Sequence, residues 1–247
     1  MTSQKHLLQE SRELESPEAV EDYGNSARRM LTTEILVREH GLSTTPQFVK
    51  RIFDLVIILS TALITLPVIG IIAVFIKASS PGPAFYWHTR TGRCGKPFAM
   101  CKFRSMVVDA EDKLESYLKL HPEFREEWER SHKLRNDPRV TGIGRILRKT
   151  SLDELPQLFN VIRGEMSLVG PRPLPEYHLN DYSKLFQEIR TRVLPGMTGL
   201  WQISGRSEEI TQLEHCDKYY ISHWSPWLDI YILATTIKVV LTQKGAY

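Results

Sequence analysis

The chain has 247 residues, 42% hydrophobic and 25% charged, which excludes both a polytopic membrane protein and a wholly disordered chain. Its 32 basic and 29 acidic side chains leave a formal charge of +3, too even a balance for a general nucleic-acid binder. Three cysteines (Cys94, Cys101, Cys216) with no C-x-x-C pair exclude a disulfide scaffold and predict reduced thiols.

Residues 1–48 are polar, with an acidic stretch at Glu10, Glu13, Glu15, Glu18, Glu21 and Asp22, and read as an N-terminal arm in which 27–40 could form a short amphipathic helix. Residues 55–76 carry no charge at all. As a helix they would extend about 33 Å, enough for a bilayer. Lys50 and Arg51 precede the run and Lys77 follows it, so flanking charge does not choose an orientation. Pro67 near its middle leaves two paths open: a kinked spanning helix, or a helix that enters, breaks near Leu66-Pro67 and returns to the same face. Asp54 at the entry sits more easily in the second. A buried core helix is the weakest option, since the run is apolar all round.

The turn cluster Ser79-Ser80-Pro81-Gly82-Pro83 closes this segment. Short strands are expected at 85–88 and 98–103 around a Gly92/Gly95 turn, and two amphipathic helices over 109–134, split at His121-Pro122. Further helices are expected at 143–148, 155–162, 183–192 and 210–220. The chain closes with an aromatic-entry helix over 224–241 that suits either the headgroup region or a core. The fold class is therefore α+β: a mostly helical membrane-associated domain with a small β element. Its expected divisions are an arm (1–48), a reentrant hairpin (49–80) and a catalytic domain (81–247) ending in the interfacial helix.

Neither the common glycine-rich phosphate loops, nor G-x-S-x-G, nor a histidine-rich metal cluster occurs. Four clusters remain as candidates for chemistry. Asp153 and Glu154 are adjacent carboxylates that follow Arg145, Arg148 and Lys149. Ser151-x-x-Glu154 fits a capping box, so a helix-capping role competes with an anion- or metal-handling one. Pro171-Arg172-Pro173 is a stiffened loop presenting one guanidinium, suited to phosphate but equally an ordinary surface turn. The segment 195–206 contains Trp201 and the glycine-flanked Arg206; a hairpin with a core tryptophan would read the same. Lys102 and Arg104 share one face of a strand, as solvent-facing residues also would. Together these describe a polyanion site at a membrane surface.

The motifs KFRSM (102–106), NDPRVTGIGRILRKTSLDELPQLFNVIRGEMSLVGPRP (136–173), PGMTGLWQISGR (195–206) and GAY (245–247) resemble those of the bacterial sugar transferases, the monotopic polyprenyl-phosphate phosphoglycosyl transferases. The resemblance covers 49–247, and the insertion at 109–135 with Leu-Trp-Gln at 200–202 looks more like relatives that move galactose- or glucose-1-phosphate. It implies a helix–break–helix anchor broken at Pro67, on the cytoplasmic face of the inner membrane. It further implies that Asp153 and Glu154 are catalytic and hold Mg²⁺, with Asp153 forming a phosphoryl-aspartate. Lys102, Arg104, Arg148, Arg172 and Arg206 would bind substrate. The implied partners are a UDP-sugar, undecaprenyl phosphate and membrane lipid, with no nucleic acid; a homo-oligomer is compatible with the sequence. The implied outcome is the first step of exopolysaccharide or O-antigen-type glycan assembly. Competing readings are a non-catalytic membrane-anchored scaffold of a glycan assembly complex and a soluble phosphate-binding regulator.

Overall fold

The structure, a computed structural model, describes residues 44–131, 134, 137–205 and 210–242. Most of the arm, including the helix expected at 27–40, lies outside the described residues, as do Arg206 and the closing 245–247.

Helix α1 (Thr44–Ser79) carries the uncharged run, and Pro67 lies within it without interrupting it. An interior proline removes one helical hydrogen bond and costs about 3 kcal/mol in a straight helix, so it marks the point of least resistance to bending. The hydroxyls of this stretch are satisfied locally: Thr61 Oγ1 donates to Ile57 O (2.8 Å) and Thr65 Oγ1 to Thr61 O (3.1 Å). That pattern leaves no unpaired side-chain polar group among the apolar ones and also favours curvature. Leu59, Leu63 and Ile64 are strongly exposed, whereas Ile58 before them and Ile69 and Ile76 after them are buried. Most of α1 thus faces outward, which corrects the core-helix alternative, and it is long and apolar enough to cross a membrane.

Both flanks of α1 pack on the rest of the protein. Asp54 is buried and accepts from Ser167 Oγ (2.7 Å) and Leu168 N (3.3 Å). Lys50 Nζ donates to the fully buried Asp229 (2.6 Å), which also accepts from Tyr220 Oη (2.9 Å) and Trp224 Nε1 (3.1 Å). A buried carboxylate needs such a set of donors to remain in place. At the other end Ile69 and Ile76 cluster with Ala84, Phe103 and Leu147.

Strands β1 (Phe85–Thr91) and β2 (Pro97–Phe103) form an antiparallel hairpin that pairs Tyr86 with Lys102, extending the shorter first strand expected. After it come α2 (Ala110–Leu120) and α3 (Arg125–Ser131), separated at His121-Pro122 as anticipated. Helix α4 (Gly142–Lys149) leads through a 3₁₀ turn (Leu152–Glu154) into α5 (Gln157–Arg163). The short parallel strands β3 (Ser167–Val169) and β4 (Gly196–Thr198) enclose α6 (Glu176–Leu179) and α7 (Lys184–Thr191). Helices α8 (Leu200–Ile203), α9 (Ile210–Ser222) and α10 (Pro226–Thr242) complete the described chain. The result is mostly helical with little sheet, within the α+β class. On α10, Ile232 and Asp229 face the core while Trp227, Tyr231, Ile237 and Leu241 are exposed. Cys94, Cys101 and Cys216 are free thiols.

The main core joins Met100 of β2 to Val161, Leu168, Val169, Ile189, Tyr220 and Ile232. Within it Asn160, fully buried, accepts from Cys101 N (2.9 Å) and donates to Ala99 O (2.7 Å) and Glu165 Oε2 (2.6 Å), stitching α5 to β2. Asn160→Leu keeps the volume but strands the buried Cys101 N–H, at about 1–3 kcal/mol, and loses the bonds to Ala99 and Glu165 as well. Denaturant unfolding in detergent should show a loss of at least about 2 kcal/mol. A loss below half of that would remove the amide from the structural role given to it here.

Candidate active site

The site grows from three chain segments. On β1, alternation puts Tyr86, His88 and Arg90 on one face, and the pairing of Tyr86 with Lys102 puts Lys102 on that face too. All four line a cleft of about 1270 Å³. The second segment is the reversal after α4. Thr141 caps that helix through Gly144 N (3.0 Å), and Ser151 then adopts a left-handed conformation (φ 55°, ψ 15°). A non-glycine residue there stores strain on the order of 1–3 kcal/mol, and it sits two residues before Asp153. Neither Ser151 nor Pro156 makes a side-chain cap, so the capping box suggested by Ser151-x-x-Glu154 is not formed. Instead Asp153 and Glu154 occupy the 3₁₀ turn and line the cleft.

The third segment is the proline-flanked loop. Its backbone is held by Gly196 N to Pro171 O (2.9 Å), Thr91 N to Leu174 O (3.0 Å) and Arg190 Nη2 to Arg172 O. Arg190 is itself fixed by a buried ion pair with Asp217 (2.7 Å). A Cβ on Gly196 would lie 2.0 Å from Gly170 N, so only glycine lets the two strand ends meet. The stiffness expected of Pro171-Arg172-Pro173 therefore has bracing beneath it.

The groups converge unequally on the two carboxylates. Lys102 Nζ lies 2.7 Å from Glu154 Oε1 but 3.8 Å from Asp153 Oδ2, and Arg172 Nη2 lies 3.7 Å from Glu154 Oε1. Among the described residues none donates a hydrogen bond to the Asp153 carboxylate, which is 14% exposed. Burial raises its pKa above the ordinary carboxylate value, opposed by Lys102, Arg148 and Arg172 and reinforced by Glu154. Arg148 is held by Ser105 Oγ (2.9 Å). Its own pKa is lowered by burial, partly offset by Asp153.

Of the residues singled out from sequence, Lys102, Arg148, Asp153, Glu154 and Arg172 come together. Arg104 reaches the cleft wall, but its guanidinium is engaged by Ser80 O (2.9 Å), Ser80 Oγ (2.8 Å) and Pro81 O, pinning the turn that follows α1. Arg206 cannot be placed, being outside the described residues. Sequence reasoning missed His88 and Arg90. Arg90 has a buried Nε with no hydrogen-bond partner among the described residues, and its Nη2 approaches His88 Nδ1 at 3.2 Å. Burial and the Arg172 charge lower its pKa, and burial with Arg90 and Lys102 lowers that of His88. The signal was the alternation 86, 88, 90, hidden because the strand was expected to end at His88.

The two carboxylates and their cations lie on a chain that has, among the described residues, one helix long and apolar enough to cross a membrane. The family model described as bacterial sugar transferase matches residues 45–243. The chain belongs to that family. A UDP-galactose-lipid carrier transferase of Erwinia amylovora is 45% identical over 91% of this chain and 48% of its own length. An undecaprenyl-phosphate galactose phosphotransferase of Salmonella typhimurium is 47% identical over 81% of this chain and 42% of its own. The chain thus spans about half the length of these relatives. The exopolysaccharide production protein ExoY of Rhizobium meliloti, 41% identical, is covered over 99% of its length and 90% of this chain.

The electrostatics of this sugar transferase site can be read in its stability. Because the folded pKa of Asp153 lies above its ordinary 3.8, the ionised carboxylate costs stability above the folded pKa, and that cost vanishes as pH falls toward 3.8. Asp153→Asn should therefore melt higher than wild type at pH 7, with the gap closing toward pH 4; for a domain this size 1 kcal/mol is about 2–4 °C. A variant that melts lower at pH 7 would mean that the cations outweigh burial.

Proposed function

We propose that this protein transfers a hexose-1-phosphate from a UDP-sugar to undecaprenyl phosphate, opening exopolysaccharide or O-antigen-type assembly at the cytoplasmic face of the inner membrane. The observation that carries this reading is the asymmetry of the dyad. Glu154 is ion-paired to Lys102, while Asp153 is desolvated beside it with no direct donor among the described residues. A carboxylate with its lone pairs uncommitted and its solvation removed is suited to nucleophilic attack. The names of the relatives, among them a UDP-glucose:undecaprenyl-phosphate glucose-1-phosphate transferase of Escherichia coli, point the same way.

In the proposed sequence an Asp153 oxygen attacks the β-phosphorus of the donor. The Oδ–P bond forms, the bridging P–O bond breaks, and UMP leaves with its electron pair. The acceptor phosphate then attacks the same phosphorus and displaces Asp153, yielding the lipid diphosphate sugar. Arg172 and Arg90 would hold the diphosphate, Arg148 would steady the Asp153 side of it, and Lys102 would hold the Glu154 carboxylate in place. Mg²⁺ fits the donor set as a metal that arrives with its phosphates, because two hard carboxylates are present and no cluster of three ligating side chains occurs among the described residues. Glu154 and one oxygen of Asp153 would hold it, leaving the other Asp153 oxygen to attack. When bound, it would neutralise the diphosphate and the leaving UMP.

The anchor in this proposal is reentrant, with 49–80 as the membrane hairpin, 1–48 as the arm and 81–247 as the catalytic domain. What supports it is that Asp54 and Ile58 before the exposed apex, and Ile69 and Ile76 after it, all pack on one body. A helix that crossed the bilayer would carry one flank away from that body. Membrane-impermeant thiol labelling in intact cells tests this: Cys94, exposed in the hairpin turn, and a cysteine introduced as His40→Cys should both be protected until lysis. Opposite accessibility would restore a single span.

The chemistry is tested by mass spectrometry after exposure to UDP-sugar without lipid acceptor. A hexose-phosphate adduct should appear on the peptide carrying Asp153 and be absent in Asp153→Asn, with turnover lost. UMP release that requires both substrates, with no adduct, would make direct in-line transfer the better mechanism.

A further inference from the structure

Gln202 is 5% exposed, and both polar atoms of its side chain, Oε1 and Nε2, are buried with no hydrogen-bond partner among the described residues. A primary amide left so is unusual, since a buried polar group without a partner costs about 1–3 kcal/mol. The residue lies on α8 next to Trp201, and both line the cleft that holds Asp153 and Glu154. Its position is set by backbone contact. A Cβ on Gly199 would lie 2.2 Å from Gly170 O and 2.9 Å from Gln202 Oε1, so Gly199 leaves room for the amide on one side and for Gly170, which leads into Pro171-Arg172, on the other. A donor and an acceptor, coplanar and fixed, therefore wait one short loop away from the guanidinium assigned to the diphosphate.

We propose that Gln202 reads the pyrimidine edge of the donor nucleotide, a reading that rests on the UDP-sugar assignment above. A phosphate could use Nε2 but would face Oε1 with like charge, so the diphosphate does not account for both atoms. The imide edge of uracil does: its N3–H donates to Oε1 while its O4 accepts from Nε2, and one planar group satisfies both atoms. Trp201 beside it supplies aromatic surface for the base. Hexose hydroxyls share this donor–acceptor chemistry, and the experiment below separates the two.

The full chain in detergent or nanodiscs is assayed for UMP release from UDP-glucose and UDP-galactose, and for inhibition by UMP and by N3-methyl-UMP. Gln202→Leu should keep the fold, with a melting temperature equal to or above wild type, because no protein partner is lost; Gln202→Met serves as the second variant if Leu packs poorly. In either variant UMP inhibition and the KM for both donors should weaken by about ten- to a hundredfold, equally for the two sugars, from the loss of two hydrogen bonds. Wild type should bind UMP better than N3-methyl-UMP, and the variant should not distinguish them. Unchanged UMP inhibition with an altered glucose-to-galactose preference would overturn the proposal in favour of sugar recognition. Unchanged behaviour on all counts would overturn it outright, while leaving the donor assignment standing. A wild-type protein that releases UMP from no UDP-sugar would instead bring down the donor assignment, and this inference with it.

Discussion

The side-chain amide of Asn160 fixes the relation between the two elements on which the site depends. Its bonds to Cys101 N and Ala99 O lock β2 against α5. Lys102 is the next residue along that strand, and Glu154 lies three residues before the start of that helix. Hydrogen bonds in a dry core tolerate little displacement, so the strand cannot slide past the helix without stranding a buried N–H. The short Lys102–Glu154 contact (2.7 Å) is a consequence of that registration at the surface. A lysine side chain alone, with its four rotatable bonds, would not hold such a position in a solvent-open cleft.

The same strand also governs the anchor. Two residues beyond Lys102, and on the same face, Arg104 spends its guanidinium on Ser80 and Pro81 at the exit of α1. On the entry side Asp54 and Lys50 tie α1 to Ser167 and Asp229. The apolar helix is thus clamped at both flanks by buried polar contacts, each expensive to break. The carboxylate dyad, held through Lys102 near the end of β2, and the apolar helix, held through Arg104 just beyond that end, must move together. That coupling gives the proposed transferase a fixed distance between its nucleophile and the surface from which a lipid phosphate would arrive.

Local signals in the sequence disclosed the elements well, because they depend on nearby residues. The 22 uncharged residues of 55–76, the Gly92/Gly95 turn and the split at His121-Pro122 all declare themselves within a few positions. Functions that depend on distant partners did not. Arg104 and Lys102 look alike in sequence, one strand face apart by two residues, and only the placement of Ser80 separates a clamp from a cleft cation. The capping box at Ser151 failed because Ser151 is itself left-handed, whereas a capping residue needs an extended backbone. Arg90 was missed because pairing with β2 carries β1 to Thr91, past the point where its own apolar residues give out.

The charge balance of the cleft explains why two neighbouring carboxylates can do different work. Lys102, Arg148, Arg172 and Arg90 gather around Asp153 and Glu154 in a cleft whose lining also carries Asp109, Glu111, Asp112 and Asp181. Glu154 holds the nearest of these cations, Lys102 and Arg172. Asp153 feels the same cations at longer range, enough to oppose the rise that burial imposes but without a hydrogen bond that would occupy its oxygens. Arrival of a diphosphate would draw those cations toward the phosphate oxygens. Asp153 would then face an electrophilic phosphorus while still desolvated, which is the moment at which a weak nucleophile gains most from its surroundings. An aspartate paired as closely as Glu154 would have to break an ion pair first. On this argument the more solitary carboxylate is the one that attacks.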